Sequence, residues 1–310
     1  MSASITPARA LAGLTLAWVL AGLTWCNPAH AGQPEFAGAG MLECSGLPCV
    51  ELSTPSSGRK LKMLIDTGNF RSILDAATAK ELGLELRPFV GRDGKPRPGF
   101  QVATLKDCVL GKRAIGAVDV LIMDLQPDIK AGTQPVADGS LAYTAFADRA
   151  LRLDYKHHRV EVSEPLVQER PCRNNCGTIT TPTFGAHGPP IVVTTGFRVN
   201  GQPITAQIDT LYTGTLLIYP TSVSKLGLED QAKSPSERRF AFTDGGVKMV
   251  EGIADTEGFN KVVLQRHGHV YFATADVHLP DGMFDGTVGH ELFAGHVLTL
   301  DFHSHLFWIS

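Results

Sequence analysis

The chain carries little charge for its length, and this shortage excludes whole classes of partner. Only 19% of its 310 residues are charged, and the formal net charge is −3. No run of basic residues occurs, which argues against a nucleic acid as the partner. The apolar stretch at residues 11–23 is shorter than a membrane-spanning helix requires. We therefore expect neither a nucleic-acid partner nor a stable membrane span in the mature protein.

Several catalytic signatures are also missing. The sequence has no Gly-x-Ser-x-Gly elbow and no glycine-rich loop that would cradle a phosphate. The pair His290-Glu291 is followed by His296, a spacing that does not match the i, i+4 histidines of a zinc helix. We expect surface histidines, no metal and no cofactor. Helix is scarce as well, with short candidates only at residues 75–82 and 220–226.

The first 31 residues have the features of a secretory signal peptide. Arg9 precedes the apolar stretch, and Ala29-His30-Ala31 supplies small residues at the usual cleavage spacing. Cys26 follows the bulky Trp25, which disfavours a lipoprotein site. We expect an exported protein, periplasmic or secreted, that is a monomer. Residues 32–44 would be a leader, of which 32–40 look loose.

Five cysteines remain after the signal: Cys44, Cys49, Cys108, Cys172 and Cys176. Export favours disulfides. The pairs with the shortest loops are Cys44 with Cys49 and Cys172 with Cys176, which leaves Cys108 over. Some of these cysteines could instead be reduced and buried. Zinc is less favoured, because the intervals lack the regular paired pattern and a nearby histidine.

What the sequence does contain is an internal repeat, in which each half begins with an aspartate at the end of an apolar strand. The first copy reads Met-Leu-Ile-Asp66-Thr-Gly, and the second reads Ala-Gln-Ile-Asp209-Thr, 143 residues later. Two further elements repeat at a spacing of 147 residues: Asp-Gly at Asp138 and Asp285, and Leu-Asp-aromatic at Asp154 and Asp301. The last four aspartates are expected to form turns.

Short alternating or apolar runs, divided by Gly, Pro and Asp, predict two antiparallel β lobes. The N-terminal lobe spans residues 45–163 and the C-terminal lobe residues 187–310. Residues 164–186, rich in proline and glycine, are predicted to be the linker. Asn200-Gly201 lies between two strand-like runs and predicts a hairpin turn.

The string Ile65-Asp66-Thr67-Gly68, the pair Ile73-Leu74 and the closing Asp-Gly element together resemble aspartic peptidases of the retropepsin and pepsin type. The chain looks like a bacterial, exported, retropepsin-like protein with both lobes fused. This resemblance implies an all-β, two-lobed acid-protease fold with a pseudo-twofold axis and a cleft between the lobes. It also implies an endopeptidase that acts on a peptide or protein substrate through Asp66 and Asp209. In that family, the position of Thr67 and Thr210 cross-links the lobes through hydrogen bonds.

The chemistry is consistent with the pattern. Two carboxyls held close together cannot both ionise cheaply, so one stays protonated. The ionised carboxylate can act as general base to a water, while the protonated one acts as acid to the carbonyl. Gly68 would let the backbone approach a carboxylate and donate an N–H to it. No metal or covalent intermediate is required.

The two copies also differ. Leu211 stands where a glycine is expected after Thr210, and a one-residue bulge could bring Gly214 to a useful place. Ala142 stands where the second copy has Gly289. An alternative is therefore a catalytically weak or inactive protein that binds peptides or envelope components in the cleft. A single-lobe enzyme completed by homodimerisation is disfavoured, because the chain already contains both halves.

The resemblance further implies a hairpin flap over the cleft. In the second lobe the candidate contains Phe240, Phe242, Asp244 and Gly245, and in the first lobe the counterpart is residues 92–95. An ordinary surface hairpin is an equally good interpretation of either segment.

Overall fold

The structure is a computed structural model, and it describes residues 35–91, 93–132, 136–166, 176–183, 189–230, 237–239, 248–273 and 283–310. The chain divides into two units, residues 1–32 and 33–310, and all described residues belong to the second. The predicted signal peptide, Cys172 and the second-lobe flap candidate therefore lie outside the described residues. Within the described part of the chain, no helix is long and apolar enough to cross a membrane.

Strands dominate the described residues, which confirms the predicted all-β class. They are β1 (Ala37–Gly40), β2 (Leu42–Cys44), β3 (Leu47–Thr54), β4 (Arg59–Asp66), β5 (Ser72–Asp75), β6 (Arg87–Val90), β7 (Pro96–Leu110), β8 (Arg113–Met123), β9 (Gly139–Ala142), β10 (Ala150–Asp154), β11 (Arg159–Ser163), β12 (Cys176–Thr180), β13 (Val193–Val199), β14 (Gln202–Asp209), β15 (Leu216–Ile218), β16 (Glu237–Arg239), β17 (Lys248–Phe259), β18 (Val262–Ala273), β19 (Gly286–Gly289), β20 (Val297–Asp301) and β21 (Leu306–Ile309). The helices are short: α1 (Ala76–Glu81), α2 (Gln126–Ala131) and α3 (Pro220–Val223), with 3₁₀ turns at Tyr143–Phe146, Ser224–Leu226 and His290–Phe293. Both predicted helix positions are confirmed.

The strand order repeats between the lobes, which confirms the internal duplication. Lobe one runs β3-β4-β9-β5-β8-β7 and closes by pairing β3 with β7; lobe two runs β13-β14-β19-β15-β18-β17 and closes by pairing β13 with β17. The register also repeats, because Asp66 lies opposite Ala142 and Asp209 lies opposite Gly289. Each lobe is therefore a closed β-sheet that presents its aspartate at the same place.

The predicted antiparallel lobes also contain parallel pairings. In each lobe the closing strand, β9 or β19, inserts between the aspartate strand and the strand that follows it. It runs parallel to the former (β4 or β14) and antiparallel to the latter (β5 or β15). β5 with β8, and β15 with β18, are also parallel. These pairings join strands distant in sequence, which turn signals do not reveal.

The two lobes share a sheet at their base. Strand β10 pairs antiparallel with β20, placing Ala150 opposite Asp301 and Asp154 opposite Val297. The hairpin partners β11 and β21 flank this pair. Strand β12, within the predicted linker, adds to β21 and also pairs with β13. The lobe and linker boundaries themselves stay predictions.

The expectation of a loose leader at residues 32–40 was wrong for residues 37–40, which form β1 on the outer edge of β11. The small residues of β1 are needed for its packing against β11. A Cβ on Gly38 would lie 1.9 Å from the Val160 carbonyl oxygen, so no side chain fits there. A run of Ala and Gly that looks unstructured in the sequence is thus a requirement of close approach.

The closing aspartates anchor each aspartate strand to the helix that follows it. Asp138 accepts hydrogen bonds from the Lys62 amide (2.8 Å) and the Thr78 hydroxyl (3.2 Å). Asp285 accepts them from the Thr205 amide (2.8 Å) and the Ser222 hydroxyl (2.8 Å). These duplicated contacts are structural and lie outside the reactive pair.

The other repeated aspartates form turns, as expected. Asp154 accepts the His157 amide at 2.9 Å, and Asp301 accepts the Ser304 amide at 3.0 Å. Asp301 also accepts the Leu166 amide at 2.8 Å, which fastens the start of the predicted linker to the base sheet.

The cysteines are distributed much as predicted. Cys44 and Cys49 form a disulfide across the β2–β3 hairpin, which confirms that pairing. Cys176 is also disulfide-bonded, and its predicted partner lies outside the described residues. Cys108 is free and buried.

Candidate active site

The two aspartates at the strand ends come together between the lobes. Asp66 ends β4 and Asp209 ends β14, and both line one cleft. A Cβ on Gly68 would lie 2.3 Å from Cγ of Asp209. The backbone of the first-lobe loop is therefore packed directly against the second-lobe carboxylate, and Gly68 cannot bear a side chain without displacing it.

The threonines after the two aspartates interlock the lobes. The Thr67 amide donates to Thr210 Oγ1 (3.1 Å), and the Thr210 amide donates to Thr67 Oγ1 (3.2 Å). The hydroxyls donate in turn to carbonyls of the opposite lobe, Thr67 Oγ1 to Ile208 (2.9 Å) and Thr210 Oγ1 to Ile65. Both threonines are fully buried. This symmetric set of four hydrogen bonds fixes the separation of the two aspartate loops.

The electrostatic environments of the carboxyls differ. Burial raises the pKa of Asp66, and the neighbouring Asp209 raises it further, well above its usual range. Burial also raises the pKa of Asp209. Hydrogen bonds from the backbone N–H groups of Leu211 and Tyr212 favour its charged form and partly offset that rise. Because two buried carboxyls this close cannot both ionise cheaply, the pair as a unit keeps one proton to a higher pH than a lone carboxyl would.

The cleft around this pair has a volume of ≈ 250 Å³. Its walls are mixed: the apolar side chains of Leu64, Ile73, Met123, Leu125 and Leu211 lie in the same lining as the polar Asn69 and Ser140. Burial of the two acids strengthens the charge interaction between them. The arrangement can hold an extended apolar side chain next to a proton-sharing acid pair.

The second-lobe loop keeps the N–H group but loses the glycine. The Leu211 amide donates to Asp209 Oδ1 at 2.9 Å, while its side chain lines the cleft. Gly214 lies elsewhere: a Cβ there would fall 2.6 Å from the Tyr212 hydroxyl and 2.9 Å from the Tyr271 ring. The structure therefore does not bring Gly214 against a carboxylate in the way it brings Gly68 to Asp209.

The difference between Ala142 and Gly289 follows from the same loop. A Cβ on Gly289 would lie 2.0 Å from the Gly214 carbonyl oxygen and 2.4 Å from that of Tyr212. The extra residue in the second loop thus presses its backbone onto β19. The shorter first loop leaves room for the methyl group of Ala142. The backbone amide of Ala142 donates a hydrogen bond to Ser72 Oγ (3.0 Å). The two departures from symmetry are one structural change.

Two polar residues of the site were not found by sequence reasoning. The Asn69 side chain hydrogen-bonds to Asp66. Gln207 Nε2 donates across the lobes to the Gly68 carbonyl at 2.9 Å. Gln207 stands two residues before Asp209 and so on the same face of β14, a period-2 signal that could have indicated it. Asn69 carries no comparable signal.

The first-lobe flap candidate is a hairpin, with Arg87 of β6 opposite Val102 of β7 and the Gly91 amide donating to the Lys95 carbonyl. Its role over the cleft stays a prediction. The second-lobe candidate, with Phe240, Phe242, Asp244 and Gly245, lies outside the described residues.

The sequence matches no protein-family model. No curated protein matches it either. Among solved structures, conglutin gamma from lupine seeds is similar over 89% of this chain and 95% of its own, with 11% identity and a TM-score of 0.48. Basic 7S globulin from soybean has the same coverage, 10% identity and a TM-score of 0.43. A retropepsin-like aspartic protease from Rickettsia conorii covers 44% of this chain and 93% of its own, with 16% identity and a TM-score of 0.29. These scores carry no functional argument, and the fold assignment rests on the repeated strand order above.

Proposed function

We propose that the protein is an exported aspartic endopeptidase in which Asp66 and Asp209 activate a water for attack on a peptide bond. The observation that carries this proposal is the buried acid pair itself, shared between two interlocked lobes and open to one cleft. Burial and mutual repulsion favour a single shared proton, which is the state that acid–base hydrolysis needs.

In the proposed mechanism each carboxyl has a distinct starting role. Asp209, whose charged form accepts the Leu211 amide, takes a proton from the water as it attacks the substrate carbonyl. Asp66, kept protonated by burial and by the charge of Asp209, donates its proton to the carbonyl oxygen. The tetrahedral diol collapses when Asp209 protonates the leaving nitrogen and the Asp66 carboxylate takes a proton from a diol hydroxyl. The C–N bond breaks, an acid and an amine are released, and the pair again holds one proton, on Asp66. The threonine interlock keeps both acids within reach of the same water.

The proposed substrate is a peptide or protein with an apolar side chain next to the scissile bond, because Leu64, Ile73 and Leu211 are among the residues that line the cleft with the acids. The disulfides support export, since they persist in oxidising compartments. We propose that the protein works as a monomer, since one chain supplies both acids.

The test is cleavage of a mixed peptide library by the purified mature protein from about pH 3 to 7, with and without a statine-type transition-state mimic. Asp66→Asn and Asp209→Asn should each abolish cleavage, whereas Asp119→Asn, an exposed carboxylate on β8, should not. Activity that persists in both dyad variants would overturn the proposal.

A second candidate is a peptide-binding protein that has lost turnover. The observation in its favour is the Leu211 side chain, which occupies cleft wall where the first loop has only a glycine. Tight binding of the mimic without cleavage at any pH would support it. A Leu211→Gly variant that gains cleavage would identify that side chain as the obstacle.

A further inference from the structure

We propose that Arg71 forms an anion-recognising subsite, so that the cleft selects peptides that carry a carboxylate near the scissile bond. This inference rests on the proposed peptidase function and adds the chemical class of its substrate.

Arg71 belongs to the loop that carries the first acid. It stands five residues after Asp66, between Asn69 and Ile73, and both of these neighbours line the cleft. The Arg71 amide donates to Asn69 Oδ1 at 3.2 Å, and the Asn69 side chain also hydrogen-bonds to Asp66. The backbone of Arg71 is therefore fixed relative to the reacting centre.

The charge of Arg71 is not neutralised by any described residue. Other arginines of the lobe are ion-paired, among them Arg59 with Asp138 and Arg87 with Asp119. Arg71 makes no ion pair within the described residues, and its Nε is buried without a hydrogen-bond acceptor there. A buried donor left unpaired is unfavourable and is uncommon in folded proteins. The Arg71 charge is therefore not cancelled by a described carboxylate, and an incoming carboxylate would bind at the terminal nitrogens of the guanidinium, since Nε is buried.

Aromatic rings hold the guanidinium in place. Its central carbon lies 4.6 Å from the ring centroid of Phe89 and 5.1 Å from that of Phe70. Phe89 is itself packed against Phe100, with ring centroids 6.4 Å apart, so the β6–β7 hairpin supports the arrangement. Ring faces attract a cation without cancelling its charge, and they leave the planar edge available for a carboxylate.

The carboxylate could come from an acidic side chain or from a peptide C-terminus, and matched peptides separate the two. Cleavable peptides would carry Glu or Gln at each of the three positions on either side of the bond, with free or amidated C-termini. A charge-assisted hydrogen bond corresponds to about a ten- to hundredfold preference in kcat/KM. We expect that preference for Glu at one position, its loss in Arg71→Gln and its reversal toward Lys in Arg71→Glu.

Two further variants separate recognition from folding. Arg71→Lys should keep most of the preference, because it keeps the charge. Arg87→Gln makes the same charge change in the adjoining hairpin at a residue that already contacts Asp119 and Thr104, and it should leave the preference unchanged.

The outcomes also distinguish this inference from the peptidase proposal. Cleavage that depends on Asp66 but shows equal rates for carboxylate and amide peptides, or a preference that survives Arg71→Gln, would overturn the subsite and leave the peptidase intact. If nothing is cleaved, calorimetry with paired Glu and Gln transition-state mimics tests Arg71 without turnover. Equal affinities of the two mimics would then refute the subsite.

Discussion

Replacement of Thr210 by valine should lower the free energy of unfolding far more than the exchange of a hydroxyl for a methyl group suggests. The Thr210 hydroxyl accepts the Thr67 amide and donates to the Ile65 carbonyl, both in the opposite lobe. Valine keeps the volume but leaves two buried backbone groups unpaired. At roughly 1–3 kcal/mol for each group, the free energy of unfolding should fall by about 2–6 kcal/mol.

Urea unfolding measures this loss, and Thr194→Val is the matched control. Thr194 is also fully buried, but its hydroxyl makes one hydrogen bond, to the Ala206 carbonyl within the same lobe. We expect Thr194→Val to cost about 1–3 kcal/mol, half the loss of Thr210→Val, since only one group is left unpaired. Thr210→Ser keeps the hydroxyl and should retain most of the stability.

The same variant should change the dyad. The charge of Asp209 raises the pKa of Asp66, so looser lobes and easier entry of water should lower that pKa. The upper limb of the pH–rate profile should then move to lower pH in Thr210→Val and stay in place in Thr194→Val. The interlock would be refuted if Thr210→Val lost no more stability than the control and kept the wild-type profile.

Three other predictions concern residues outside the reacting pair. Burial raises the pKa of Glu257 from 4.5 to about 8, so its contribution to stability is complete below about pH 4.5 and is lost as the pH rises toward 8. Glu257→Gln should therefore leave urea stability nearly unchanged at pH 4 and raise it by a few kcal/mol at pH 8; equal effects at both would contradict the burial argument. Gly289→Ala should lower the free energy of unfolding by about 1–3 kcal/mol, because its methyl meets the Gly214 carbonyl, whereas Ala142→Gly should lower it by about 0.5–1 kcal/mol through backbone entropy. Burial raises the pKa of the Cys108 thiol to about 11, so a thiol reagent at pH 8 should label Cys108 only after unfolding; rapid labelling of the native protein would contradict this.

The fold was predictable because the duplicated strings are local signals placed at the same points of each lobe. Asp66 and Asp209 end apolar strands, and each is followed by a short helix and a returning Asp-Gly element, which sets the order of chain segments. The Asn200-Gly201 turn was equally readable: both residues have positive φ, 48° and 80°. The parallel pairing of β4 with β9 was not predictable from the sequence, since the relative direction of two strands depends on which end of the sheet the chain re-enters.

The candidate site was predictable in its residues and less so in its contacts. The sequence predicted a one-residue bulge after Thr210, but not that Gly214 would pack on Tyr212 rather than against the carboxylate. Gln207 and Arg71 escaped notice because their roles depend on neighbours from another loop or lobe. Pairwise tertiary proximity of this kind leaves no trace in a single sequence unless a repeat or a period encodes it.

The pairing of β10 with β20 ties the two halves of the molecule mechanically. Because one continuous sheet passes beneath the cleft, widening the cleft must bend that sheet, and the halves should unfold together in one transition. A fragment that ended after β11 would keep Asp66 but would present the edge of β10 without its partner. Such an edge is a template for a second copy of itself. Two identical fragments that paired through this edge would each contribute one Asp66. The N-terminal half alone would then form, as a homodimer, the twofold arrangement that the full chain forms within one polypeptide.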